Sequence, residues 1–112
     1  LETRTGSFVF PAGTGERLAT QSFLFTRRIA STHVALAGYR AEYPGDDHHV
    51  KRLTVLLTSR FASTPDGWEA FVDARFELRD KNADDLFQGS IEFVLFVETE
   101  GALQPTIDPR RT

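Results

Sequence analysis

From Trp68 to Arg79 the chain alternates strictly between two kinds of residue. Trp68, Ala70, Val72, Ala74, Phe76 and Leu78 form one set, and Glu69, Phe71, Asp73, Arg75, Glu77 and Arg79 form the other. Successive side chains of a strand project to opposite sides, whereas a helix brings together residues three and four apart. A period of two therefore predicts a strand with one buried and one solvated face. A polar loop, Asp80 to Asp85, follows, and Ser-Ile-Glu-Phe-Val-Leu-Phe-Val-Glu-Thr from Ser90 to Thr99 then turns back. Together these runs predict a two-faced β-hairpin between Phe61 and Thr99. The pattern makes the chain all-β and leaves loops and wet strand faces as the places for function.

Other segments fit the same class. Ser7 to Phe10 is a short apolar strand that Pro11 closes, followed by the Gly-rich turn Ala12 to Gly15. Ser22 to Thr26 is a second strand. His33 to Tyr43 is a third, with Gly38 predicting a bulge in its middle. Pro44-Gly45 marks a turn. From His49 to Phe61 the residues Leu53, Val55, Leu57 and Phe61 face one way, and Arg52, Thr54, Thr58 and Arg60 face the other. Asp66-Gly67 is a strong hairpin signal. Only Gly15 to Gln21 has room for a helical turn. The chain thus reads as one domain over residues 1–112 with about six antiparallel strands, a β-sandwich or small barrel. Residues 1–21 hold a short strand and the Gly-rich turn, 22–99 the main strands, and 100–112 an extended tail with Pro105 and Pro109.

Charge and composition narrow the partners. The 112 residues carry 16 acidic and 13 basic side chains, a net charge of −3. Nucleic-acid binders cluster Lys and Arg on a basic domain, so no nucleic-acid partner is expected. No apolar run approaches the ~20 residues of a membrane-spanning helix. With no cysteine, thiolate metal sites, disulfides and thiol nucleophiles are excluded.

Candidate chemistry is sparse. Asp46-Asp47-His48-His49 carries metal-ligand side chains, but neighbours in an extended chain point apart, and a solvated turn is the plainer reading. Asp80-Lys-Asn-Ala-Asp-Asp85 lacks the Gly and the closing Glu of a calcium loop. No Ser lies in a Gly-x-Ser-x-Gly elbow, and paired hydrolytic carboxylates need a cleft that a small sandwich lacks. No enzyme activity, metal or cofactor is expected. On the wet face, Phe71 interrupts Glu69, Asp73, Arg75 and Glu77. An aromatic among Arg60 and Arg75 is the composition of a subunit contact.

The order of segments resembles the H-type lectins, small six-stranded β-sandwich domains. Arg4-Thr-Gly-Ser7 is similar to that family's opening strand; Phe23-Leu-Phe25, Val34-Ala-Leu36 and Arg52-Leu-Thr-Val-Leu-Leu-Thr58 follow in order. Gly67-Trp68 and the closing strand Ser90-Ile-Glu-Phe93 complete the likeness. The resemblance implies a homo-oligomer, a trimer or hexamer, that binds a glycan in clefts between subunits without a metal. It implies a ligand role for Arg52, at the start of its strand. The family's loop aromatic and His have no counterpart in Leu78 to Asp85. The ligand groups expected here are Arg52, Asp80, Asn82, Asp84 and Asp85, with Phe71, Arg60 and Arg75 at the interface. An extracellular, virion or cell-surface location would follow. The alternative expectation is a structural or adhesive subunit of a larger assembly, such as a phage-tail or injection-machine component, that binds other chains and no sugar.

Overall fold

A computed structural model of the protein describes residues 1–44, 52–79 and 86–100. Six strands run through them: β1 (Glu2–Gly13), β2 (Arg17–Phe25), β3 (Ile29–Glu42), β4 (Arg52–Thr64), β5 (Gly67–Arg79) and β6 (Phe87–Thr99). All pairings are antiparallel, and they form two three-stranded sheets of order β1-β6-β3 and β2-β5-β4. The described residues contain no helix.

The strands expected to form a hairpin with each other do not pair. β5 is the centre of one sheet and β6 the centre of the other. The hairpin is instead β4–β5, with Thr64 opposite Gly67, at the Asp-Gly turn. β5 and β6 are linked across the core because both carry a full apolar face. Pairing them edge to edge would leave one row of large side chains without a second layer to cover it. Stacked face to face, the rows cover each other. Val72, Phe76, Ile91, Leu95 and Val97 are wholly buried, and Phe8, Phe10, Phe25, Phe87 and Phe93 complete the core. Phe76 stacks on Phe10 at 4.9 Å between centroids and meets Phe87 edge-on at 5.5 Å, joining the sheets.

Two further expectations are corrected. The first strand does not stop at Phe10 but continues through Pro11 to Gly13. β1 is an edge strand and its register shifts between Phe10 and Gly13; an edge bulge is where proline's missing N–H is tolerated. The helical turn expected from Gly15 to Gln21 is the start of β2, where Arg17, Ala19 and Gln21 are half-buried and Leu18 and Thr20 exposed. The bulge expected at Gly38 is present as a register shift between Leu36 and Gly38. Gly67 closes the β4–β5 turn with φ of 149°, and a Cβ there would lie 2.7 Å from the carbonyl oxygen of Phe25. The Asp46–His49 cluster, the segment from Asp80 to Asp85 and the tail after Glu100 lie outside the described residues.

The antiparallel order fixes which connections share an end. β1, β3 and β5 finish where β2, β4 and β6 begin. Arg52, at the start of β4, is therefore directly opposite Arg79, after which the chain leaves towards β6.

Candidate functional site

The outer face of the β2-β5-β4 sheet is built in rows by the register. Ser22, Phe71 and Arg60 make one row, Thr20, Asp73 and Thr58 the next, and Leu18, Arg75 and Leu56 a third. Arg52 and Arg79 close the sheet at its far end. The three residues expected at an interface, Phe71, Arg60 and Arg75, thus share one face.

Their side chains are engaged within the chain. The Arg60 guanidinium lies 4.2 Å from the Phe71 ring centroid and donates from Nε to Asp73 Oδ2 at 2.9 Å. The Thr20 hydroxyl donates to Asp73 Oδ1 at 2.7 Å. Arg75 Nε is 3.1 Å from Glu16. Phe71 on the wet face is accounted for by this arrangement: the ring is a platform for Arg60, a cation–π contact that the Asp73 carboxylate holds in place.

The hydrogen bond from Arg60 holds the Asp73 carboxyl below its ordinary range, with Thr20 adding to it and partial burial opposing. A depressed carboxyl contributes stability above its unfolded-state pKa and loses it as pH falls through the folded-state value. The contribution is small because the pair is largely solvated. Asp73→Asn is expected to flatten the acid limb of a stability–pH curve and to leave the plateau above pH 6 nearly level. Urea titrations at a series of pH values would read this, and an unchanged acid limb would refute the linkage.

Arg52 differs from these residues. It is exposed, and among the described residues no carboxylate pairs with it. Its cross-strand neighbour Arg79 lies 3.6 Å through Nε from the nearly buried Glu77, and that Nε makes no hydrogen bond. Like charges directly opposite each other on a sheet repel, so the pair raises the local positive potential. Of the ligand groups expected from the sequence, Arg52 is the one within the described residues; Asp80, Asn82, Asp84 and Asp85 lie outside them. Among the described residues no three His, Cys, Asp or Glu side chains converge as metal ligands.

Sequence reasoning missed the apolar part of this face. Leu18 is 67% exposed, Leu24 73% and Leu56 51%. Leu18 and Leu56 flank Arg75 from either side and line a shallow depression with Thr58 and Asp73. The signal was present in the alternation of Leu18 and Leu24 against Ala19 and Phe23; reading residues 15–21 as a helical turn hid Leu18 and cut the strand short of it. Glu16 and Thr20, which hold Arg75 and Asp73, were missed for the same reason. No family model matches the chain, and neither the curated proteins nor the solved structures give a match.

Proposed function

We propose that this chain is a non-catalytic carbohydrate-binding module that acts as an oligomer, with the glycan held at the end of the sheet where Arg52 stands. The observation that carries this reading is the exposed Arg52, which no carboxylate among the described residues pairs with, directly across from Arg79, the residue that precedes the Asp- and Asn-bearing segment 80–85. A guanidinium offers several fixed donors to sugar hydroxyls, and carboxylates and amides supply the acceptors. A glycan array probed with the whole chain is expected to give a restricted set of positive sugars. Arg52→Ala is expected to remove that signal without moving the melting temperature, since among the described residues the side chain makes no hydrogen bond or ion pair. A silent array, or a signal that Arg52→Ala leaves intact, would refute the reading.

A second reading, a structural or adhesive subunit of a larger assembly, is favoured by the exposed Leu18, Leu24 and Leu56 on the outer face of the β2-β5-β4 sheet. Exposed leucines on one face are the composition of a partner contact. This reading expects a silent glycan array and burial of that face by another chain.

A further inference from the structure

Each three-stranded sheet has two edge strands, and an edge strand displays backbone N–H and C=O groups that can pair with another chain. The four edges here are β1 and β3 in one sheet and β2 and β4 in the other. Three of them carry devices that oppose such pairing. β1 contains Pro11 and a bulge between Phe10 and Gly13. Its edge carbonyls are also taken up by side chains of β2: Gln21 Nε2 donates to Ser7 O, and an Arg17 terminal nitrogen donates to Pro11 O at 2.6 Å. β3 is interrupted twice, between Ile29 and Ser31 and between Leu36 and Gly38. β2 spans nine residues and turns a charged side chain, Arg17, toward the core side. Inward charge, bulges and proline are among the recognised ways of blunting an edge, as are charged side chains, of which β4 carries Arg52 and Arg60 on its outer face.

β4 lacks the first three. It runs 13 residues without proline, and its register with β5 is unbroken from Arg52 to Thr64. Its core-facing residues, Leu53, Val55, Leu57, Ser59, Phe61 and Ser63, are uncharged, and Leu53 remains 40% exposed. On this side of the sandwich β3 packs alongside β4, and the hydroxyl pair Thr32–Ser59 at 2.9 Å joins them through side chains, with no backbone bond between the two strands among the described residues. Among the described residues no hydrogen bond reaches β4 backbone groups other than those of its ladder with β5.

We infer that the β4 edge is a strand-pairing surface whose occupant is β4 of a second copy, joined antiparallel about a two-fold axis at Thr58. Full-length overlap of Arg52–Thr64 with itself puts the axis at that residue. The register then sets Arg60 against the copy's Leu56, Arg52 against its Thr64, and Phe61 against its Val55. No cation faces a cation, and arginines of the two copies stay about 13 Å apart along the strands, beyond the screening length of ~8 Å at physiological salt. The Arg60 stem covers the exposed Leu56 of the copy, as long basic side chains do on apolar surface. The contact is isologous, so it closes at two copies and does not grow into a filament. It takes up the oligomer of the proposed function and is independent of the sugar.

Residue-resolved amide exchange of the unmodified chain, measured over a concentration series with its mass in solution, tests this. Dilution is expected to convert dimer to monomer. In the dimer every second amide of β4 is expected to exchange about tenfold or more slowly than in the monomer, with no such change on β1, β2 or β3. A synthetic 52–64 peptide is expected to compete with the dimer. A monomer at every concentration overturns the inference, as does a dimer whose protection falls on another edge or on a sheet face. Loss of the glycan signal with the β4 protection intact would overturn the carbohydrate reading alone.

Discussion

Phe76→Ala is expected to be the most damaging single truncation in the chain, costing about 3–5 kcal/mol. Phe76 is wholly buried at the centre of the β2-β5-β4 sheet, stacks on Phe10 and meets Phe87 edge-on, both of which belong to the opposite sheet. Removing the ring therefore empties the layer between the sheets instead of thinning one edge of it. Neighbouring side chains relax little into such a gap, because each is itself fixed by packing on both sides. Stability in domains of this size is about 5–15 kcal/mol in total, so the loss is a large fraction. It corresponds to a fall in melting temperature of about 12–20 °C. Leu24→Ala is the control: Leu24 is exposed on the outer face of the same sheet, and its truncation is expected to stay within about 0.5 kcal/mol. Calorimetry and urea unfolding of the two variants decide the matter. Equal losses would mean that the two sheets do not meet through Phe76.

The contrast between these leucine and phenylalanine positions shows what the sequence carries. Strand identity was legible where both neighbours of a strand are strands. β5 and β6 are central, so their core-side residues are apolar almost throughout; in β5 the period of two is nearly unbroken, whereas Phe93 to Val97 of β6 is apolar on both faces. Pairing was not legible. Alternation records which residues face the core but not which strand lies alongside, and an apolar face looks the same whether it turns back in its own sheet or crosses to the other. That is why Trp68–Arg79 and Ser90–Thr99 read as a hairpin although they lie in different sheets. Edge strands were the least legible. β1 tolerates Pro11 because no neighbour needs its N–H on the outer side, so a residue that ends a central strand did not end this one. β2 placed Arg17 on the core side, and a charge there broke the pattern that would have revealed Leu18 and Leu24.

The candidate site divides along the same line. Phe71, Arg60 and Arg75 were found together because alternation assigns residues to faces, and the face is real. Their partners were not found. Asp73 bonds Thr20, 53 residues away, and Glu16 reaches Arg75 from the turn before β2. Such contacts depend on which strand lies beside which. Phe71 was legible as an aromatic on the wet face; that the Arg60 guanidinium of the adjacent strand lies over its ring was not. The β4 edge left no mark in alternation at all, since what distinguishes it among the described residues is an unbroken register without proline, bulge or inward charge.

Gly89→Ala is expected to destabilise the chain by about 1–3 kcal/mol, the cost of overpacking a filled interior. An ordinary strand glycine would give the opposite sign, because alanine loses less conformational freedom on folding, a gain of roughly 0.5–1 kcal/mol. Gly89 is not ordinary. It lies on β6 between Phe10 of β1 and Ala41 of β3. A Cβ there would overlap the carbonyl oxygen of Arg40 and stand 2.5 Å from Cζ of Phe76. The same ring that fills the core therefore depends on a missing side chain across from it. This makes the two substitutions interdependent, as residues sharing one space are. Phe76→Ala removes the ring and leaves the Arg40 carbonyl in place. The double variant is expected to lose less than the sum of the single losses, and Gly89→Ala is expected to remain harmful in the Phe76→Ala background. If its cost vanished there, the ring alone would be the obstacle; if the losses simply added, the Arg40 backbone alone would exclude the methyl group. A thermodynamic cycle over the four proteins separates these cases, and only the intermediate result agrees with a glycine squeezed from two sides.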